Sequence, residues 1–248
     1  MQADPSKISV AGRRVLVTGG TRGVGRGIAT TLAAAGADVL VCHRQRSELA
    51  DSLAAELKAT GGNHHIITAD VSDPDEVARL TGECRDRLGG LDVVVNNAGA
   101  ISHVPFAELS LAEWRRVVDT DLTAAFLVTQ RALPLLGPGA SIVNIGSRVA
   151  TVGLPLRAHY TAAKAGLIGL TRSLCKELGP QGIRVNLVSP GVIDTEVELP
   201  EAVRRRYDTM TALGRLGRPA EIGGVVLFLA SDLSSYVSGE IIHVDGGI

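Results

Sequence analysis

The stretch Thr18-Gly19-Gly20-Thr21-Arg22-Gly23-Val24-Gly25 follows a short apolar run, Arg14–Thr18, and opens a breaker-free run of small and apolar residues over 25–35. That order predicts a strand, a tight turn and a helix. Gly19, Gly23 and Gly25 remove side chains where a backbone must turn sharply and approach a ligand. The helix start adds free N–H groups and the positive end of a dipole. Together these suit a diphosphate. In a chain with 29 glycines a glycine-rich turn alone means little; its place between a first strand and a first helix gives it weight.

Outward from this turn the strand-helix unit repeats. Apolar runs bounded by turn residues stand at 38–42, 65–68, 91–95, 141–145, 183–188 and 241–244. With 14–18 they predict seven strands. Between them lie amphipathic segments with recognisable starts. Asp73-Pro74-Asp75-Glu76 sets a cap, a first-turn proline and a capping-box glutamate in order, and Ser110-Leu111-Ala112-Glu113 repeats the box. Strict alternation implies parallel strands joined by right-handed crossovers, and strands this uniformly apolar are covered on both faces. The expected fold class is therefore α/β: a single doubly wound Rossmann domain over residues 1–248, with a seven-stranded parallel sheet flanked by helices. The stretch 192–217, long and mixed in charge, is expected to be a lid over a site.

Composition narrows the partners. Lys and Arg total 25 against 26 Asp and Glu, so a net charge of -1 provides no field to attract nucleic acid or an anionic membrane. Cys42, Cys84 and Cys175 are odd in number and form no Cys-x-x-Cys pair. They argue against a disulfide framework and a zinc site and fit a reducing, cytoplasmic setting. No metal site is expected from the six histidines either, which show no ligand spacing with carboxylates or cysteines. No segment has the long apolar run that a membrane span requires.

Further segments stand in a telling order. Asn96-Asn97-Ala98-Gly99 follows the fourth strand and Ser147 the fifth; Tyr160 and Lys164 are spaced Tyr-x-x-x-Lys, and Pro190-Gly191 follows the sixth strand. With the Thr-Gly-x-x-x-Gly-x-Gly turn, this order resembles the short-chain dehydrogenase/reductase family from Gly12 to the final Asp245-Gly246-Gly247. The resemblance implies a nicotinamide dinucleotide held by Gly19, Thr21, Arg22, Gly23, Val24 and Gly25, by His43 and Arg44 after the second strand, and by Asp70 and Val71 near the adenine. It adds Asn97, Ala98 and Gly99, then Tyr160 and Lys164, and Pro190, Gly191, Ile193 and Thr195 around the nicotinamide. Enzymes that prefer NAD place a carboxylate at the end of the second strand, where it repels a 2′-phosphate. Here the place falls to His43 and Arg44, with Arg22 nearby, so the implied cofactor is NADPH/NADP+. Arginine's planar fork suits phosphate.

Tyr160 and Lys164 lie four apart in a helical run, so they share one face. Reducing a ketone requires a proton donor at the oxygen, and a free tyrosine is a reluctant one at neutral pH. An ammonium at about 4 Å favours the phenolate by roughly 4 kcal/mol at an effective dielectric of about 20, before desolvation opposes it. Ser147, at the C-terminal end of a strand, can donate to the substrate oxygen. The family's fourth catalytic residue is an asparagine, and here that position is Asp121. The aspartate loses the amide donor and adds charge, while the backbone carbonyl attributed with much of the role is kept.

Among relatives the chain most resembles ketoreductases of acyl-carrier-bound β-keto chains and of polyketides. The expected activity is NADPH-dependent reduction of a hydrophobic ketone, with no nucleic acid or membrane partner. The alternatives are a dehydrogenase of another small alcohol or sugar, and a non-catalytic NADP-binding protein. Candidates for the substrate pocket are His103, Val149, Leu154, Leu156, Val192, Leu199, Tyr207 and Met210. A homotetramer is expected by resemblance and from the small-residue helix face at Ala162, Ala163, Gly166 and Gly169, which could equally pack on its own sheet.

Overall fold

The computed structural model describes residues 8–45, 47–196 and 200–248. The strands are β1 (Arg14–Thr18), β2 (Asp38–His43), β3 (His65–Thr68), β4 (Val93–Asn96), β5 (Ser141–Ile145), β6 (Arg184–Pro190) and β7 (Ile241–Val244). The helices are α1 (Gly23–Ala34), α2 (Glu48–Lys58), α3 (Pro74–Leu88), α4 (Leu111–Val118), α5 (Ala124–Ala132), α6 (Val149–Val152), α7 (Ala158–Leu178), α8 (Glu201–Met210) and α9 (Pro219–Ala230). Among the described residues the seven strands form one sheet in the order β3-β2-β1-β4-β5-β6-β7. Every neighbouring pair is parallel. The order reverses between β1 and β4, and crevices for ligands open at the C-terminal edge of such a switch point.

Alternation along each strand covers both faces. Val15, Val17, Val39, Val41, Val93, Val95, Val143 and Ile145 pack on one side with Ile28 and Leu32 of α1 and Ile222 and Val226 of α9. Leu16, Leu40, Val94 and Ile142 point to the other side, against Val77 and Leu80 of α3 and Val128 of α5. Period-two geometry accounts for this division, and each buried Val, Leu or Ile contributes about 1.5–3 kcal/mol of transfer free energy.

Several expected boundaries shift for physical reasons. The fourth strand begins at Val93, because Leu91 gives its N–H to Leu135 O at 3.0 Å and the ladder with β1 starts at Val15 opposite Val93. Neither expected capping box closes. Asp73 accepts from Asp75 N and Glu76 N as predicted, but its own N–H goes to Asp70 O, and Glu76 instead accepts from Asp70 N at 2.7 Å. Ser110 accepts from Glu113 N at 3.1 Å, while the Glu113 carboxylate turns to Ser102 and Arg116. α4 runs into α5 through a π-helical turn, Asp119–Thr123, which carries Asp121 inward. The stretch 192–217 leaves β6 and is pinned where it begins and ends: Asp194 N donates to Gly217 O at 2.8 Å and Gly217 N to Val192 O at 3.0 Å. Leu199, a pocket candidate within it, lies outside the described residues.

Candidate active site

The turn between β1 and α1 is shaped by long-range contacts. Gly19 has φ +65°, and a Cβ there would stand 2.8 Å from Ala98 Cα; at Gly25 a Cβ would collide with Gly19 O and Asn97 Nδ2. Asn97, just past β4, donates from Nδ2 to Thr18 O at 2.9 Å and to Gly19 O at 3.0 Å. Thr18 Oγ accepts from Asn97 N and Ala98 N, each at 3.0 Å. The Asn97-Ala98-Gly99 segment and the glycine turn therefore form one cradle across the β1–β4 switch point. Thr21 is buried beneath it, Val24 is half-buried and Arg22 is exposed.

At the end of β2 the two basic candidates part ways. His43 is buried, with its ring nitrogens 2.7 Å from Gln45 O and 3.4 Å from Thr68 Oγ. It shapes the turn, while Arg44 is exposed to solvent. Asp70 accepts from Ser72 N at 3.0 Å and Ser72 Oγ at 2.6 Å, and Val71 is buried beside it. Pro190 closes β6; Gly191 N donates to Val244 O at 3.1 Å, and Ile193 bridges to Gly217. Thr195 follows, half-buried.

Three of the four catalytic candidates converge. Tyr160 and Lys164 occupy successive turns of α7, with Lys164 Nζ 5.7 Å from the Tyr160 ring centre. Lys164 is buried, donates to Ile145 O at 3.1 Å and lies 3.0 Å from Asp121 Oδ1. The other carboxylate oxygen of Asp121 accepts from Ala100 N at 2.8 Å. Burial alone would depress the Lys164 pKa, but the charges of Asp121 and Tyr160 outweigh it and hold the ammonium above its ordinary value. Ser147 lies two residues past β5, half-buried, its Oγ accepting from Val149 N at 3.3 Å. The fourth candidate thus stands on the edge of the strand whose last carbonyl holds Lys164. Chemically, the arrangement offers a phenol beside a fixed cation, with a hydroxyl from a neighbouring element.

Other residues around the site were not legible as participants. Arg148, next to Ser147, lies 3.3 Å from Asp245 Oδ2 and donates to Ile248 O at 3.3 Å. His159, next to Tyr160 in sequence, is fully buried, with Nε2 2.8 Å from Ser102 Oγ. Glu196 accepts from Gly23 N. No local pattern marks these three, since each partner comes from a distant segment. The thiols of Cys42 and Cys84 are pushed up to about 12 by burial, which leaves them protonated and unreactive.

The cradle at the switch point and the Tyr160–Lys164 pair define a dinucleotide-binding oxidoreductase site in form. The family model described as enoyl-(acyl carrier protein) reductase matches residues 19–248, and the chain belongs to that family, the short-chain dehydrogenases/reductases. The chain is 40% identical over 247 residues to the 3-oxoacyl-[acyl-carrier-protein] reductase FabG of Aquifex aeolicus (strain VF5), covering 98% of this chain and 99% of that protein. A short-chain dehydrogenase from Burkholderia cenocepacia J2315 in complex with NADP superposes with TM-score 0.91 at 34% identity, over 96% of this chain and 98% of the other. A blue fluorescent protein from a metagenomic library, in complex with NADPH, gives TM-score 0.91 at 36% identity over the same shares.

Proposed function

We propose that the chain is an NADPH-dependent ketoreductase acting on a hydrophobic carbonyl substrate of the β-ketoacyl or polyketide kind. The observation that carries this is the Tyr160–Lys164 pair, with Lys164 held by Ile145 O at the C-terminal end of the strand that leads to Ser147. The FabG relative supports the substrate class, and the solved relatives holding NADP and NADPH support the cofactor. The cradle fits a dinucleotide: its close approaches at Gly19 and Gly25 leave room only for backbone, and Gly23 N already takes a carboxylate. The diphosphate would lie on Gly19, Thr21, Gly23, Val24 and Gly25, and the 2′-phosphate between Arg22 and Arg44. Asp70 and Val71 would flank the adenine. Asn97, Ala98, Gly99, Pro190, Gly191, Ile193 and Thr195 would line the nicotinamide half.

NADPH supplies the hydride when bound. Ser147 donates a hydrogen bond to the substrate carbonyl, and Tyr160 delivers the proton to the same oxygen as negative charge develops there. The Lys164 ammonium favours the tyrosinate left behind, and Asp121 keeps that ammonium charged. We further propose that 192–217 acts as a lid. The helix face expected to pack between subunits divides: Ala163 is buried and Gly166 approaches Leu122 within the chain, whereas Ala162 and Gly169 face outward. Phe106, Leu111 and Phe126 are also exposed, at 76%, 61% and 44%. We assign these outward residues to contacts in a homotetramer, which a monomeric mass by light scattering would refute.

The test is loss of NADPH absorbance over a panel of β-ketoacyl thioesters, polycyclic ketones and sugars. Turnover is expected with the first two classes, and no oxidation of NADPH by either overturns the assignment.

A further inference from the structure

We infer that Glu196 is an internal competitor for the diphosphate cradle, which the cofactor must displace on binding; the inference rests on the cofactor reading above. The argument starts at the N-terminus of α1. Arg22 precedes it in extended conformation and supplies no side-chain cap, and no acidic residue stands in the first turn. α3 and α4 are capped locally, by Asp73 and Ser110. The Gly23 N–H is one of the orphan donors that every helix start leaves. It is filled from 173 residues away, by Glu196 Oε1 at 3.0 Å and Oε2 at 3.1 Å.

Glu196 is exposed and has no ion-pair partner among the described residues. What holds its carboxylate in place is the Gly23 N–H and the positive end of α1, the same pair of features that suits a diphosphate. The backbone behind it is fixed on both sides of Ile193 by the Val192–Gly217 and Asp194–Gly217 hydrogen bonds, and Asp194 pairs with Arg204 at 2.6 Å. That anchoring delivers the carboxylate to the cradle. A diphosphate needs the same N–H and carries like charge, so the two anions exclude one another. Glu196 therefore weakens cofactor binding. Its release also links the diphosphate to the segment carrying Ile193 and Thr195, so filling one half of the cofactor site alters the other.

The experiment compares wild type with Glu196→Gln, which removes the charge and keeps the side-chain size. NADPH is titrated by its fluorescence, and adenosine 2′-monophosphate, which has no diphosphate, by calorimetry. The variant is expected to bind NADPH about three- to tenfold more tightly, the scale of one anion at a helix N-terminus, and adenosine 2′-monophosphate as wild type does. In the cofactor-free protein the Gly23 amide resonance should move in the variant while that of Asp75, under its own cap, stays. NADPH affinity that is unchanged or weaker in the variant overturns the inference, as does an equal change for both ligands or an unmoved Gly23 amide. A wild-type protein that binds no NADPH overturns the cofactor reading and this inference with it.

Discussion

Asp121 Oδ1 lies 3.0 Å from Lys164 Nζ, and the side chains are 0% and 5% exposed, respectively. A buried lysine would by itself lose its proton more easily, so its partner decides its charge. With the carboxylate present, the Lys164 pKa is raised and the ammonium persists as pH rises. In Asp121→Asn the effect of burial is no longer offset by that charge. The alkaline limb of kcat/KM against pH should therefore move to lower pH, while efficiency at neutral pH stays within about tenfold of wild type, a barrier change of about 1.4 kcal/mol. Superimposable profiles would remove Asp121 from the mechanism.

The same pair makes a prediction about stability. Lys164→Met strands a carboxylate that is 1% exposed, and breaking a buried pair costs about 3–5 kcal/mol. Adding Asp121→Asn to that variant removes the stranded charge and should recover part of the loss in urea melts. A double variant no more stable than Lys164→Met would show that the pair is not held as an ion pair.

Tyr160→Phe deletes the proposed proton donor and keeps the ring. Turnover should fall by about 10²–10⁴-fold, the usual contribution of a general acid. Activity equal to wild type would end the proposed mechanism.

Arg44 is exposed at the end of β2, where the 2′-phosphate is expected. Changing it to Asp replaces attraction with repulsion, so the ratio of kcat/KM for NADPH over NADH should narrow or invert. Equal or better efficiency of the wild-type protein with NADH would refute the assignment of Arg22 and Arg44.

The parts of the fold that were legible depend on neighbours in sequence. β1, β3, β5 and β7 occupy the runs expected of them: β1 and β5 are buried and read as apolar runs, while the edge strands β3 and β7 are only partly buried and are marked off by the turn residues that bound them. Asp73 and Ser110 cap their helices as expected, since a cap spans only a few residues. The glutamates meant to complete those boxes went elsewhere, drawn by Asp70 N in one case and by Ser102 and Arg116 in the other. In the site, the one-turn spacing of Tyr160 and Lys164 was legible, but the groups that fix Lys164 were not. Ile145 O is a backbone atom with no sequence signature, and Asp121 arrives through a π-helical turn that no periodicity announces. Glu196 reaches Gly23 from the segment that leaves β6, a strand separated from β1 by β4 and β5, so nothing near either residue in sequence announces the contact.

The Asn97 carboxamide, bonded to both Thr18 O and Gly19 O, bears on how portable the cofactor motif is. The glycine octapeptide is only half of its own mould. The other half is an amide supplied across 78 residues of chain by the neighbouring strand. A graft of residues 18–25 into an unrelated strand-helix junction would carry the glycines without the clamp that bends them. A successful transplant needs a two-piece insert, with the strand bearing Asn97 brought along in register.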